Sequence, residues 1–527
     1  MLRIRDISVP AAHDVSMLYY LAAKQLRIPS NELSGLKIRK KSLDARKKDD
    51  IHYLYTVDVA TRHSENRVLK QCRNPRVSLA KDPVYHIPRM QSDCRPVVVG
   101  FGPAGMFAAL VLALAGLKPL VLERGCDAAT RREKVETFWN TGKLDTECNV
   151  QFGEGGAGTF SDGKLNTGTK NDRAGWVLQE LVNAGAGEEI LYDAKPHIGT
   201  DVLLTVVQRV REKIVSLGGE VRFGAKVTAL DTANGAVCGV RVNGTEKISC
   251  DRLILAIGHS ARDTFEWLYA MGVPMEPKPF SMGVRIEHLQ ENIDRAQYGA
   301  GCDRSVLPPA DYKLSVHLPD GSSAYTFCMC PGGCVVAAAS EDGGVVTNGM
   351  SDHARDGSNA NSAVLVTLRP EDFPDPSVLG GMYWQQQIEH AAFLAGGGDY
   401  KAPAQLVGDF LAGRESTCLG EVKPTYCPGV TLCDLNRVLP PQLTGVLKQA
   451  IPEFGKKLEG FDAADAVLTA PEARSSSPVR IVRGEDKQSA ITGLFPCGEG
   501  AGYAGGIMSA AVDGMLCAEA LMDTLRR

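Results

Sequence analysis

Three stretches of this 527-residue chain carry residue types whose spacing could do chemistry. The first is Gly100-Phe-Gly102-Pro103-Ala104-Gly105, set between the apolar run Val97–Val99 and the equally apolar MFAALVLALAGL. The second is QFGEGGAGTFSDGKLNTG at 151–168, which repeats the spacing at Gly153, Gly155 and Gly158. The third is Cys328-Met-Cys330-Pro-Gly-Gly-Cys334.

Only the first glycine pattern has the elements that would put it to use. A strand precedes it, a buried helix follows, and PLVLE forms a second strand ending in Glu123, 18 residues after Gly105. In a β-turn-α-β unit, Gly100 permits the tight turn and Gly102 admits a pyrophosphate to the helix N-terminus. Gly105 lets helix and strand pack closely, while Glu123 faces ribose hydroxyls. The 153–158 pattern lacks both a clean strand before it and a helix after it. A third match, Gly500, Gly502 and Gly505, lies too near the C-terminus for another such unit. The chain is thus expected to hold one dinucleotide in this way.

The remaining glycine-rich pieces narrow the ligand. CDRLILAIGHSA reads as a strand ending at Ala256-Ile-Gly258, and ITGLFPCGEGAGYAGGIMSAAVDGMLCAEAL as strand, turn and terminal helix. This order resembles the glutathione-reductase-like FAD fold, in its two-domain hydroxylase and oxidase branch. The resemblance implies a non-covalent FAD stretched along the sheet. It further implies that Gly498, Glu499, Gly505, Gly506 and Ile507 face the flavin end. Glu499 stands where that fold usually has an aspartate. A helix starting near Gly506 would aim its positive end at the flavin and favour an anionic reduced ring. The loop at 151–168 becomes a further cradle, with Gly155, Gly156, Thr159 and Ser161 beside the cofactor and Lys164 countering negative charge. Arg124, Val227, Ala256 and Gly258 complete the expected cofactor set. Longer strings, among them EGGAGTFSDGKLNTG, KPFSMGVRIEH, FCMCPGG and SSSPVRI, resemble a bacterial family of uncharacterised FAD-dependent dehydrogenases. That resemblance implies a redox reaction but supplies neither substrate nor catalytic residues.

Four segments follow: a basic α/β module at 1–92, the first part of the FAD domain at 93–274, a β-rich substrate-side domain at 275–485, and the return of the FAD domain at 486–527. Residues 1–95 carry 19 Lys and Arg against 10 Asp and Glu, whereas the whole chain is at −4. Their pattern predicts a small ferredoxin-like β-α-β-β arrangement. Lys40, Lys41, Arg46, Lys47 and Lys48 read either as a solvated face or as a contact for an anionic partner, RNA included; no RNA-binding signature accompanies them.

Fifteen scattered cysteines and the absence of an apolar leader in MLRIRDISVP fit a cytoplasmic protein. The uncharged stretch 96–117 is punctuated by glycine, so a βα unit explains it better than a membrane span. The run Cys328, Cys330 and Cys334 admits three readings: a metal site with Cys302, a redox-active thiol near the flavin, or cysteines of a buried strand. No metal is expected. Cys330, His259 and Lys164 are the candidates for catalysis. Arg285 and Arg480 either bind a substrate carboxylate or pair with Glu287 or Glu485. The functional expectation is an FAD-dependent oxidoreductase acting on a small organic substrate by hydride transfer. NAD(P)H would bind transiently if at all. Two alternatives are an RNA-linked flavoprotein and a non-catalytic flavin-binding regulator.

Overall fold

The computed structural model describes residues 1–82, 84–166, 171–301 and 303–526. Cys302 and the tail of the second glycine-rich stretch, Thr167 and Gly168, lie outside them. At the centre is a five-stranded parallel sheet ordered Leu494–Pro496, Leu253–Leu255, Val97–Val99, Leu120–Leu122 and Glu220–Arg222. The four inner and C-terminal strands are three-residue apolar segments buried throughout, as expected where helices cover a parallel sheet. The helix Pro103–Ala115 is apolar on all sides because it is enclosed on all sides. It lies between this sheet and the helices Thr200–Ser216 and Ile507–Thr524. A Cβ on Gly514 of the terminal helix would come within 2.0 Å of the Ala104 carbonyl oxygen, so the two helices touch backbone to backbone.

The middle of the chain builds a seven-stranded sheet centred on Phe280–Leu289 and Asn359–Leu368, which pair antiparallel over their full length. Both are buried along nearly every residue. The helix Pro441–Gly455 contributes to the core beneath this sheet. The chain enters and leaves this region through Met275–Pro277 and Val479–Ile481, which pair with each other.

The N-terminal region is β-α-β-β-α-β. Its antiparallel sheet is ordered Leu33–Asp44, His52–Thr61, Leu2–Pro10 and Val77–Leu79, the ferredoxin-like arrangement. It is fastened to the rest by Lys41, whose backbone exchanges hydrogen bonds with Tyr192 (2.7 Å) and Ala194 (2.8 Å). The lysine's ammonium sits 4.9 Å from the centroid of the Tyr53 ring, and Arg46 pairs with Asp44 at 2.5 Å. Two of the five clustered cations therefore already have partners within the chain. Among the described residues, no helix is long and apolar enough to cross a membrane.

Candidate functional site

A single elongated cavity of about 690 Å³ joins the ends of the parallel strands to the face of the seven-stranded sheet. It begins where Val99 runs into the first glycine pattern. Gly100 takes φ +95, and a Cβ there would meet the Ala256 carbonyl oxygen at 2.3 Å. The turn therefore needs glycine for both conformation and space. At Gly105 a Cβ would lie 2.0 Å from the Gly100 oxygen, which makes this residue a packing point behind the cavity wall. Gly102 differs from both. A Cβ there would make only ordinary contact, 3.6 Å from the Gly156 Cα, and the residue lines the cavity. It is followed by Pro103 and Ala104 at the start of a helix with no side-chain cap. The first backbone N–H groups of that helix are thus without a capping side chain at the cavity wall.

Glu123, buried at the end of its strand, accepts three backbone N–H bonds: Phe101 at 2.7 Å, Gly125 at 2.9 Å and Gly153 at 2.9 Å. A carboxylate has about four lone-pair positions, which leaves one for a ribose hydroxyl. Its neighbour Arg124 also lines the cavity. The guanidinium stacks on Phe152, 4.0 Å from the ring centroid, and pairs with Glu147 and Asp263.

The second glycine-rich stretch folds back against the first. Its Gly156 has φ +64, and a Cβ there would press to 2.9 Å from the Gly102 Cα. Two buried charges hold the loop. Arg131, wholly enclosed, donates to the carbonyls of Asn149 (2.9 Å), Val150 (2.9 Å) and Glu154 (2.6 Å). Burial draws its pKa down to about 10. Glu154 accepts the Ala128 N–H at 2.8 Å, and Arg211 lies 3.4 Å from its other oxygen. Burial pushes this carboxyl up. Gly156, Gly158 and Ser161 line the cavity, as expected for a cradle. Gly155 and Thr159 do not. Gly155 packs against the Thr159 hydroxyl and Val207, and that hydroxyl donates to the Glu154 carbonyl at 3.3 Å. Their work is inside the loop.

Val227, Ala256, Gly258, Glu499, Gly505, Gly506 and Ile507 also line the cavity. The terminal helix starts at Ile507, again without a side-chain cap. Gly498 lies behind the wall and donates its N–H to Asp513 at 2.7 Å. Burial raises Glu499 to about 7, with the Gly506 N–H and Lys278 pulling the other way. This carboxyl is therefore near the balance point between its two protonation states at neutral pH. The glycine cradle, the two uncapped helix starts and the remaining acceptor on Glu123 fit a dinucleotide carrying an extended pyrophosphate.

The candidates for catalysis fare unevenly. Lys164 reaches the cavity but is ion-paired with the buried Asp162 at 2.5 Å, and also donates to the Met329 carbonyl. Burial would raise Asp162; Lys164 and Arg355 outweigh it and hold the carboxyl at about 2. His259 lines the cavity and is 3.0 Å from the Ser260 hydroxyl, which in turn donates to Gln151 at 3.0 Å. Burial, with Arg474 and Arg262 nearby, lowers it to about 3, so its imidazole is neutral at pH 7. Cys330 is fully buried; it is Cys328 that faces the cavity. Cys334 lies behind the wall, its thiol pushed up to about 12 by burial.

Neither arginine pairs as expected. Arg285 is wholly buried and grips Glu472 at 3.0 Å, while Glu287 accepts from Thr425 and Asn359. Arg480 pairs with Glu276 at 3.1 Å. Sequence reasoning missed Arg131, Glu154, Asp162 and Arg355; apart from the pairing of Asp162 with Lys164, their partners are distant in sequence. Only Asp127, a helix N-cap before Arg131, left a local trace.

The family model described as "FAD-dependent protein, C-terminal domain-like" matches residues 279–475, and one described as a domain of unknown function matches residues 1–60. A Clostridium beijerinckii protein described as uncharacterised is 49% identical over 531 residues, covering 99% of this chain and 98% of that one. Among solved structures, a geranylgeranyl bacteriochlorophyll reductase-like protein from Thermoplasma acidophilum is 13% identical with a TM-score of 0.37. That match covers 82% of this chain and 78% of the other. Glycine oxidase from Bacillus cereus is 10% identical with a TM-score of 0.30, over 82% and 96%. Glycerol-3-phosphate dehydrogenase from Bacillus halodurans, complexed with FAD, is 10% identical with a TM-score of 0.35, over 83% and 66%. Likenesses this loose transfer no reaction and no residue role.

Proposed function

We propose that this chain, which belongs to the same family as the uncharacterised clostridial protein and matches the FAD-dependent protein C-terminal domain model over residues 279–475, is an oxidoreductase using one non-covalent FAD. One observation carries the reading. The cavity that starts at Gly102 and Glu123 ends under the strand Ser323–Cys330 of the domain matched to FAD-dependent proteins. Bound FAD would supply the two-electron chemistry, and the chain supplies position, charge and a protein-lined surround. Gly102, Pro103 and Ala104 would hold the pyrophosphate, Glu123 a ribose, and Gly505–Ile507 the flavin end. The substrate, a small organic molecule, would occupy the end lined by Tyr312, Thr326 and Cys328.

At that end the groups divide by protonation. Burial pushes the Tyr312 hydroxyl well up, so it stays protonated, hydrogen-bonded to the buried Ser362 at 3.0 Å. His259 offers a neutral ring, and Lys164 a positive charge. Glu499 is the group best placed to take up or release a proton near pH 7. The parallel sheet carries one fingerprint, so a nicotinamide donor would have to enter transiently from the substrate side.

Anaerobic titration of the purified protein with NADH and then NADPH tests the donor. Bleaching of the flavin bands marks a nicotinamide-fed enzyme. Bands that persist, but bleach with a reduced metabolite, mark a substrate-fed dehydrogenase. Flavin that stays oxidised with every donor would overturn the enzymatic reading in favour of a non-catalytic flavin-binding protein.

A further inference from the structure

The strand Ser323–Cys330 is broken at a point the cofactor reading does not explain. Phe327 pairs with Ala363 and Cys330 with Asn361, so three steps on one strand face two on the other. Cys328 lies in this bulge with φ +43, a left-handed conformation unfavourable to a non-glycine residue. Its carbonyl is held there by Arg285 Nη1 at 3.1 Å and by the Cys330 thiol at 3.2 Å. In a regular strand, residues two apart are separated by about 6.6 Å, near the upper limit for a disulfide. The bulge alters that spacing and brings the Cys330 sulfur to 3.2 Å from the carbonyl oxygen of Cys328.

The two sulfurs are also unlike. Cys328 faces the cavity, while Cys330 is fully enclosed behind it. The neighbouring Cys330 thiol draws Cys328 below the ordinary thiol range; burial opposes this, and the charges of Lys164 and Arg285 assist it. The nearness of Cys328 and burial push Cys330 well up. In a second thiol pair, Cys497 and Cys517, both residues are fully buried, whereas Cys328 is partly exposed. Arg483 closes that second pair off by donating to Asp513 at 2.5 Å and to the Cys517 sulfur at 3.2 Å.

We propose that Cys328 and Cys330 form a thiol–disulfide exchange site in the cavity wall, with a low-molecular-weight disulfide as its substrate. The proposal deepens the oxidoreductase reading by naming a substrate class, and rests on that reading only for the cavity's redox role. The Cys328 thiolate attacks one sulfur of the small disulfide, whose S–S bond breaks and releases one thiolate. Cys330 then gives up its proton and attacks the Cys328 sulfur, releasing the second thiolate. In sum, one small disulfide gains two electrons and two protons and becomes two thiols. The protein pair loses the same and becomes a Cys328–Cys330 disulfide.

The test uses the purified full-length chain, fully reduced, then incubated with glutathione disulfide, quenched with iodoacetamide and mapped by peptide mass spectrometry. The 328–330 peptide should lose both alkylation sites and become lighter by two hydrogens. In Cys330→Ser, glutathione should remain trapped on Cys328; in Cys328→Ala, Cys330 should carry none. Without glutathione disulfide, iodoacetamide at neutral pH should label Cys328 about tenfold faster than the exposed Cys418. Modification confined to exposed cysteines such as Cys418 and Cys427, with Cys328 untouched in both the parent and Cys330→Ser, would overturn the proposal. Flavin absorbance recorded on the same samples separates the two readings. A disulfide in a chain that never retains FAD would sink the flavoprotein reading alone, and retained FAD with an inert pair would sink the dithiol alone.

Discussion

The glycine turns at 100–105 and 153–158 share one spacing and are built in different ways. The first is supported by its own neighbours: a strand feeds it, a helix leaves it, and Gly100 and Gly105 let those elements close on each other. The second is supported from outside, by Arg131 on the Glu154 carbonyl and on those of Asn149 and Val150 just before the turn, and by Glu123 on one of its amides. A repeated glycine pattern therefore identifies a close backbone approach, and the surrounding elements decide what approaches. Here the two turns approach each other, Gly102 against Gly156, and together they wall one end of the cavity.

Substitutions can pull that contrast apart. Arg131→Met should have the largest effect, leaving three buried carbonyls without their donor. We expect a loss of about 3–5 kcal/mol in denaturant unfolding, with FAD retention falling as the second turn loosens. Wild-type stability in that variant would mean the loop holds itself. Gly102→Val should act on the cofactor instead. FAD affinity should fall about a hundredfold, near 2.7 kcal/mol, with the unfolding midpoint of the flavin-free chain little changed, because a Cβ there makes only ordinary contact with Gly156. Glu123→Gln touches both turns. It places an amide N–H₂ among three backbone donors, and should cost about 1–3 kcal/mol in stability together with some affinity.

The smallest effect lies away from both turns. His259 has a folded pKa near 3, below the unfolded value of about 6.5. Between those values the unfolded chain binds the extra proton. Stability of the flavin-free chain is then complete above pH 6.5 and declines as pH falls toward 3, by at most about 1.4 kcal/mol per pH unit. Urea midpoints at pH 7, 6 and 5 should show the decline, and His259→Asn should flatten it. An equal slope in both chains would return His259 to the surface-histidine class.

What the sequence reveals follows the range of the interactions. The strand-turn-helix at 97–115, the strand ending at Glu123 and the terminal strand and helix are legible because each is fixed by apolar runs and glycines a few residues apart. The lining role of Gly102 follows from those elements, and that of Ser161, Gly258 and Ile507 from the resemblance to the FAD fold. Arg131, Glu154 and the Asp162 pairing with Arg355 are not legible, because nothing local announces a charge buried against distant backbone. The partners of Arg285 were misjudged for a related reason. Glu287 is two residues away on the same strand, yet the register of the neighbouring strand brings Glu472 to the guanidinium instead. The exchange of Cys330 for Cys328 at the cavity wall turns on a one-residue bulge, which alternation along a strand cannot show.

The central claim is that one cavity holds one flavin dinucleotide across both turns. The most direct test is the visible absorbance of the purified chain, after FAD is added and excess removed, beside that of Gly102→Val. The account predicts flavin bands in the parent, their loss in the variant, and the same unfolding midpoint for both once flavin is removed. Bands absent from the parent, or equal in both chains, would contradict it.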